Sequence, residues 1–448
     1  MSDLATIPLG NLASLRRGIT YTESALRDNP EDGIPYVNMK SFLKNGGFNN
    51  NGLKYYSGFF TDQDLVGKSD ILIANTDVTR EGDIIGVPAL FLGNVNSNQI
   101  LYSHHVTRLR LDGAQSVSYL FYLFCTDRYR REMKKYARGT TVLMLDMKGL
   151  QRIPVTYHVN IAQQDKIARI LQTIDQAIEK TDTLIDKYQQ IKAGLMHDLF
   201  TRGIGSDGKL RPPREQAPEL YKETPIGWIP KEWKISAISS VLESVVDGPF
   251  GSNLKTEHYV EDPGVRVVRL QNVLKYEYND SDRAYVSDRH AGKLVRNKVI
   301  GEDVLIAGLG DDKFPVGRSC MYPNGLPSAI NKADCFRARC VSSIAMNKFF
   351  MLFLNSMLAR GQVRRYEQGV TRPRINTGNL KQLNIALPSI KEQAAICSKF
   401  NRIQDLVEVE KRRLAKLQKQ KSGLMHDLLT GKVPVQVEPE AKPEPVNA

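Results

Sequence analysis

"GLMHDLF" occupies Gly194–Phe200 and "GLMHDLL" occupies Gly423–Leu429. Six residues recur in the same order, 229 positions apart, and each copy carries a His-Asp pair. The match extends backwards from both copies, which marks an internal repeat rather than a chance word. From Gln164 to Asp198 the offset is 229, so that Gln164 faces Gln393 and Ile167 faces Ile396. Further upstream the offset is 230. "YLFYLF" (Tyr119–Phe124) faces "FFMLFL" (Phe349–Leu354), Lys134-Lys135-Tyr136 faces Arg364-Arg365-Tyr366, and Gly139 and Thr141 face Gly369 and Thr371. "ILIANTD" (Ile71–Asp77) resembles "VLIAGLG" (Val304–Gly310) at a shifted offset. The chain is one unit written twice, each with a divergent front part and a better matched rear part.

The rear parts read as long helices. In the second, Ile396, Phe400, Ile403, Val407, Glu410, Leu414, Leu417, Lys421, Leu424 and Leu428 step by four and three, a heptad seam with two charged interruptions. In the first, Ile167, Ile170, Ile174, Ile178, Thr181, Ile185, Tyr188, Ile191 and Leu195 make a similar stripe. Helices of about 35 residues would be about 50 Å long, and two such stripes can bury each other. The front parts read as mixed strand and helix. "GIPYVNM" and "GVRVVRLQNV" are strand-like, and the stretches after Ser116 and Ser343 turn from apolar to basic as amphipathic helices do. The boundaries expected are a first domain at 1–158, a helix at 159–203, a Gly- and Pro-rich linker at 204–230, a second domain at 231–388, a helix at 389–432 and a disordered tail at 433–448.

Composition narrows the function. A formal charge of +13 points to a polyanionic partner, nucleic acid first. No run of 18 apolar residues is seen, the start lacks a signal-peptide pattern, and five cysteines without a CxxC motif fit a reducing, cytoplasmic setting. The His-Asp pair could bind metal or work as an acid–base dyad. Adjacent helical residues, however, point about 100° apart, and no further ligand cluster accompanies them. A role in packing or at a partner surface is the better reading, with Gly194 and Gly423 admitting a close helix. "GKS" at Gly67–Ser69 lacks the upstream glycine of a phosphate loop, and "AGLG" at Ala307–Gly310 is a lone GxG.

Two basic clusters stand at matching places. One is "RYRREMKKYARGTT" (Arg128–Thr141), with Arg131, Lys134, Lys135 and Arg138 followed by Thr140 and Thr141. The other is "ARGQVRRYEQGVTRPR" (Ala359–Arg374), with Arg364, Arg365, Thr371, Arg372 and Arg374. Such side chains neutralise phosphates and reach base edges. "VDGPFGSN" (Val246–Asn253) offers Asn253 as a further reader, or is simply a Gly-Pro turn at a strand end. These residues are the candidate DNA contacts. No catalytic, cofactor or metal residue is assigned.

With these residues in hand, the sequence resembles the specificity subunits of Type I restriction–modification systems. The carriers are "TPIGWIPKEW" (Thr224–Trp233), "GNLKQLNIALPSIKEQAAI" (Gly378–Ile396) and the two helices ending in "GLMHDL". The first-half counterpart, "GLQRIPVTYHVNIAQQDKI" (Gly149–Ile167), is weaker, with Tyr157-His158 and Gln163-Gln164 where the family has Pro-Pro and Glu-Gln. The resemblance implies an α+β protein: two mixed α/β target-recognition domains separated by two long helices in an antiparallel coiled coil, related by a pseudo-twofold. It also implies a non-catalytic subunit that reads a bipartite double-stranded DNA site. Two methyltransferase subunits and the motor-nuclease restriction subunits would be its partners, binding S-adenosylmethionine, ATP and Mg themselves. Leu195, Met196, His197, Leu424, Met425 and His426 would then meet the partner. The competing readings are a protein-only coiled-coil adaptor and a metal-dependent enzyme using the repeated His-Asp pairs.

Overall fold

The computed structural model describes residues 4–79, 81–90 and 99–437. Contacts divide the chain into two units. One holds the chain up to Asp182 and the segment from Arg412 onward; the other is Thr183–Lys411.

In the first unit a four-stranded antiparallel sheet has the order Ala13–Arg17, Val106–Leu111, Asp70–Ala74, Pro88–Leu90. In the second unit Leu242–Val246, Cys335–Cys340, Val304–Ala307 and Ser319–Met321 take the same order, again antiparallel. Each unit is also tied shut in the same way. Leu4–Pro8 pairs with Pro154–His158, and Lys234–Ala237 pairs with Asn384–Leu387. The duplication read from the heptapeptides therefore reaches the divergent front parts, where sequence identity has faded. The strands expected around "GIPYVNM" and "GVRVVRLQNV" are Ile34–Val37 and Val265–Val268, in a second, mixed sheet of four strands in the first unit and five in the second.

The apolar-then-basic stretches are helix pairs. Helices α1 (Val117–Cys125), α2 (Asp127–Lys134) and α3 (Met147–Gln151) belong to the first unit. The first long helix, α4, is Ile161–Thr201. Then follow α5 (Asp288–Lys293), α6 (Asn347–Leu354), α7 (Met357–Tyr366), α8 (Thr377–Gln382) and the second long helix α9 (Ile390–Leu429). Helix α6 is apolar all round because it is wedged inside the unit: Phe349 to Leu354 are all buried.

At 41 and 40 residues, α4 and α9 are each roughly 60 Å long. Each unit takes the start of one and the end of the other. In the first, Ile167 and Leu171 share a core with Leu428 and Leu429; in the second, Leu199 and Phe200 share one with Ile396 and Phe400. The pair is thus antiparallel, and the ends of both helices are built into the cores of the units. The α9 seam is as expected, with every seam residue buried or half-buried. Its charged interruption Lys421 is met by Asp175 at 2.6 Å, which also accepts from the Tyr122 hydroxyl. On α4 one position is corrected: Ile191 is exposed and Lys192 faces inward. A 4-3 spacing from Tyr188 selects 192, so seam geometry overrides the apolar residue beside it.

Two further expectations change. The stretch 204–230 is packed, not a free linker: Ile204, Ala217, Tyr221, Ile226 and Ile229 are buried, and Tyr221–Thr224 pairs with Gly227–Pro230. Glu392 anchors it, accepting from the Ile204 amide at 2.8 Å and the Trp233 indole at 3.1 Å while pairing with Arg211. In the expected tail, Val435 is buried and its carbonyl accepts from Gln163 at 3.2 Å; residues 438–448 lie outside the described residues.

The join between domain and helix rests on two equivalent, fully buried glutamines. Gln164 accepts from the Ser116 amide at the start of α1 (2.8 Å) and donates to the His158 carbonyl (2.6 Å). Gln393 accepts from the Met346 amide at the start of α6 (2.9 Å) and donates to the Ile344 and Pro388 carbonyls. Gln393→Leu strands these buried groups, so denaturant unfolding should show a loss of about 3 kcal/mol, while Gln190→Leu on the exposed face should be nearly neutral.

Lys192 adds a pH signature. Its ammonium lies over the Tyr276 and Phe400 rings and donates to Gln404. Burial, with Lys411 and Lys275 nearby, lowers its pKa to about 8, against partial compensation by Glu408 and Glu277. The folded state therefore favours the neutral amine. This residue destabilises below pH 8, and the penalty fades as pH rises towards its unfolded value. Lys192→Met should raise the melting temperature at pH 7 and abolish this rise in stability between about pH 8 and 10.

Candidate nucleic-acid interface

In each unit a basic helix runs into a β-hairpin. In the first, α2 leads to Ala137–Arg138 paired with Leu143–Leu145, and Thr76–Asp77 extends this to three strands. In the second, α7 leads to a hairpin closed by reciprocal Gln368–Arg374 backbone bonds of 3.0 and 2.9 Å, with Leu309 bridging Arg374 from the other side. The turns need their repeated glycines. Gly139 has φ 117° and a side chain there would meet the Val142 carbonyl; Gly369 has φ 90°.

The hairpin tips are open. Thr140, Thr141, Thr371 and Arg372 are exposed, and Val370 is wholly so. Arg131, Lys134, Lys135, Arg364 and Arg365 are also exposed, on the helix ends that feed the hairpins. Several already have local contacts: Lys134 with the Glu81 carbonyl at 3.2 Å, Lys135 with Glu132 at 2.6 Å, and Arg138 with Asp146 at 2.9 Å. These are surface contacts that a phosphate can displace at small cost. Two arginines of the same clusters are structural instead. Arg130 is half-buried against the Lys44 and Asp83 carbonyls, and its repeat partner Arg360 donates to the Val316 carbonyl. Burial lowers the pKa of both guanidiniums.

The "VDGPFGSN" loop joins the second hairpin. The Phe250 ring lies 5.3 Å from the Arg374 guanidinium, and Arg374 pairs with Asp334 at 2.7 Å. Asp334 is set by Asp247, which accepts from the Gly248 and Asp334 amides at 2.7 and 3.1 Å. Burial raises the Asp247 pKa to about 6. Asn253 is exposed at the end of this loop, and its carbonyl meets His290 at 2.9 Å. Sequence reading missed Asp334, Asp247 and Phe250, of which only the quoted loop gave a hint. "AGLG" is not a ligand turn: the Gly308 and Gly310 amides are used by the Asp334 and Pro373 carbonyls.

The repeated His-Asp pairs do not form dyads. His197 and His426 are exposed, while Asp198 pairs with Arg202 at 3.1 Å and Asp427 with Lys432 at 3.7 Å. Among the described residues no group of three His, Cys, Asp or Glu could hold a metal ion, and no helix is long and apolar enough to cross a membrane. Of the expected partner contacts, Met196 is corrected. It is buried with Leu199 and Phe200, because its step on α4 faces the core. Leu195, Leu424 and Met425 are half-buried against the cores. Gly194 and Gly423 do not seat a neighbouring helix: a Cβ added at either would meet none of the described residues outside its own turn of helix within 4 Å.

Comparison with known proteins follows the same division. The model of the Type I restriction modification DNA specificity domain matches residues 1–188 and 230–419. The Type I restriction enzyme MjaVIII specificity subunit of Methanocaldococcus jannaschii is 24% identical over 384 residues, covering 83% of this chain and 82% of that one. The EcoBI specificity subunit of Escherichia coli is 20% identical, covering 89% and 78%. The solved S subunit of a Type I restriction–modification system from M. genitalium has the same fold, with a TM-score of 0.56 at 14% identity and 96% of both chains covered. With a duplicated α+β unit, paired long helices and a family match over both copies, the chain belongs to the Type I restriction–modification specificity subunits.

Proposed function

We infer that this chain selects the DNA site for a Type I complex without carrying out the chemistry. The front part of each unit reads one half of a split site, and the long helices set the gap at about one helical turn. Two modification subunits bind, with restriction subunits joining them. S-adenosylmethionine then enters on the modification subunit, ATP and Mg on the restriction subunit, and the complex works in the cytoplasm. His197 and His426, beside the open Gly194 and Gly423, are equivalent exposed sites near the helix ends, suited to identical partners.

The observation that carries this reading is the same exposed basic hairpin, on the same sheet order, in two units whose other loops differ. A two-stranded ribbon fits the major groove, and its flanking Arg and Lys supply phosphate contacts. A protein-only adaptor would leave both hairpins without a role.

Adenine methylation should be mapped on DNA exposed to the cognate modification subunit with and without this chain. The expected result is methylation confined to a split motif of fixed gap, and only with the chain present. An identical pattern in both samples, despite confirmed assembly, would leave the adaptor reading in its place.

A further inference from the structure

We propose that Arg374 reads a guanine in the half-site of the second unit, with Asp334 and Phe250 as its positioning residues. The proposal rests on the DNA-recognition reading above and adds a base and a register to it.

The argument begins with the repeat. Arg374 and Met144 are the same position. Each lies opposite its hairpin partner, Gln368 or Arg138, and beside the same neighbouring segment, Leu309 or Thr76. The backbone at this place is shared while the side chain is not. Met144 is exposed and apolar, whereas Arg374 is a half-exposed cation. A retained backbone carrying a changed side chain, on a face open to DNA, is what reading two different sequences requires.

The setting of Arg374 points to base recognition more than to phosphate contact. A phosphate-binding cation needs only reach, but this guanidinium is fixed. It lies 2.7 Å from the buried Asp334 oxygen and over the Phe250 ring at 5.3 Å. The Asp334 carboxylate engages one guanidinium nitrogen, and among the described residues no other group accepts from this side chain. Charge and ring hold the group in place while its remaining donors stay available. Asp334 is itself held at φ 65° by the hydrogen bond that its backbone N–H donates to the Asp247 carboxylate, a strained setting for a non-glycine residue. A preorganised Arg fork with unspent donors matches guanine O6 and N7 in the major groove. In the first unit His105 and Thr20 occupy the Asp334 and Phe250 positions, so the arrangement belongs to one unit alone.

The test uses the chain assembled with its modification subunit. Wild type, Arg374→Ala, Arg374→Lys and Asp334→Asn are compared by methylation mapping. Arg374→Ala should relax one G·C pair in one half-site by roughly tenfold to a hundredfold, leaving the other half-site unchanged. Asp334→Asn should relax the same pair, less strongly. Replacing that guanine by 7-deazaguanine should lower wild-type methylation there, a readout independent of how the variants fold. An unchanged motif, with methylation reduced equally at all sites and restored by Arg374→Lys, would mean a phosphate contact and overturn the proposal. Whether or not the variants assemble, a wild-type motif with no 7-deaza-sensitive guanine in the half-site of the second unit would overturn it as well. A wild-type complex that adds no motif would overturn both this proposal and the reading beneath it.

Discussion

A single buried amide, used twice, sets the relation between recognition domain and long helix. Gln164 and Gln393 are fully buried one turn into their helices. Each satisfies the amide at the start of the apolar helix α1 or α6 and a carbonyl at the end of the closing strand. Three elements then have one geometry, because any rotation would leave donors and acceptors unpaired in a medium without water. A purely apolar join would allow sliding. The same bonds recur in both units, so both joins are fixed in the same way.

The hairpins show how a repeat can diverge without losing its frame. Gly139 and Gly369 keep the left-handed turns, and Arg130 and Arg360 pin neighbouring loops through backbone carbonyls that place no demand on the sequence there. With the frame held by such contacts, tip and flank residues are free to vary. Met144 against Arg374, and Thr20 against Phe250, are substitutions of this kind. Conformation is carried by glycine and backbone bonds, which leaves the exposed side chains to differ between the units.

Much of the architecture was legible because it is periodic or repeated. The heptad seam of α9, the helix pairs after Ser116 and Ser343 and the exposed cationic tips all follow from spacing and charge. Lys192 was missed because an isoleucine stood beside it, although the 4-3 step favours the lysine. Met196 was misplaced because a short repeated word does not say which residues of the turn face inward. The stretch 204–230 looked like a linker because its glycines and prolines dominate the local pattern. Its burial depends on Glu392, some 160 to 190 residues away.

The sequence by itself determined the duplication, the two long helices and the basic surfaces, since these depend on neighbours within a few turns or on a comparison of the two halves. Only the tertiary structure decided which cations are free and which are spent. It separated Arg130 and Arg360 from the exposed members of the same clusters, and it joined Arg374, Asp334 and Phe250 across 124 positions of chain. A cation's availability depends on the acceptors that folding brings to it, and those acceptors are remote in sequence.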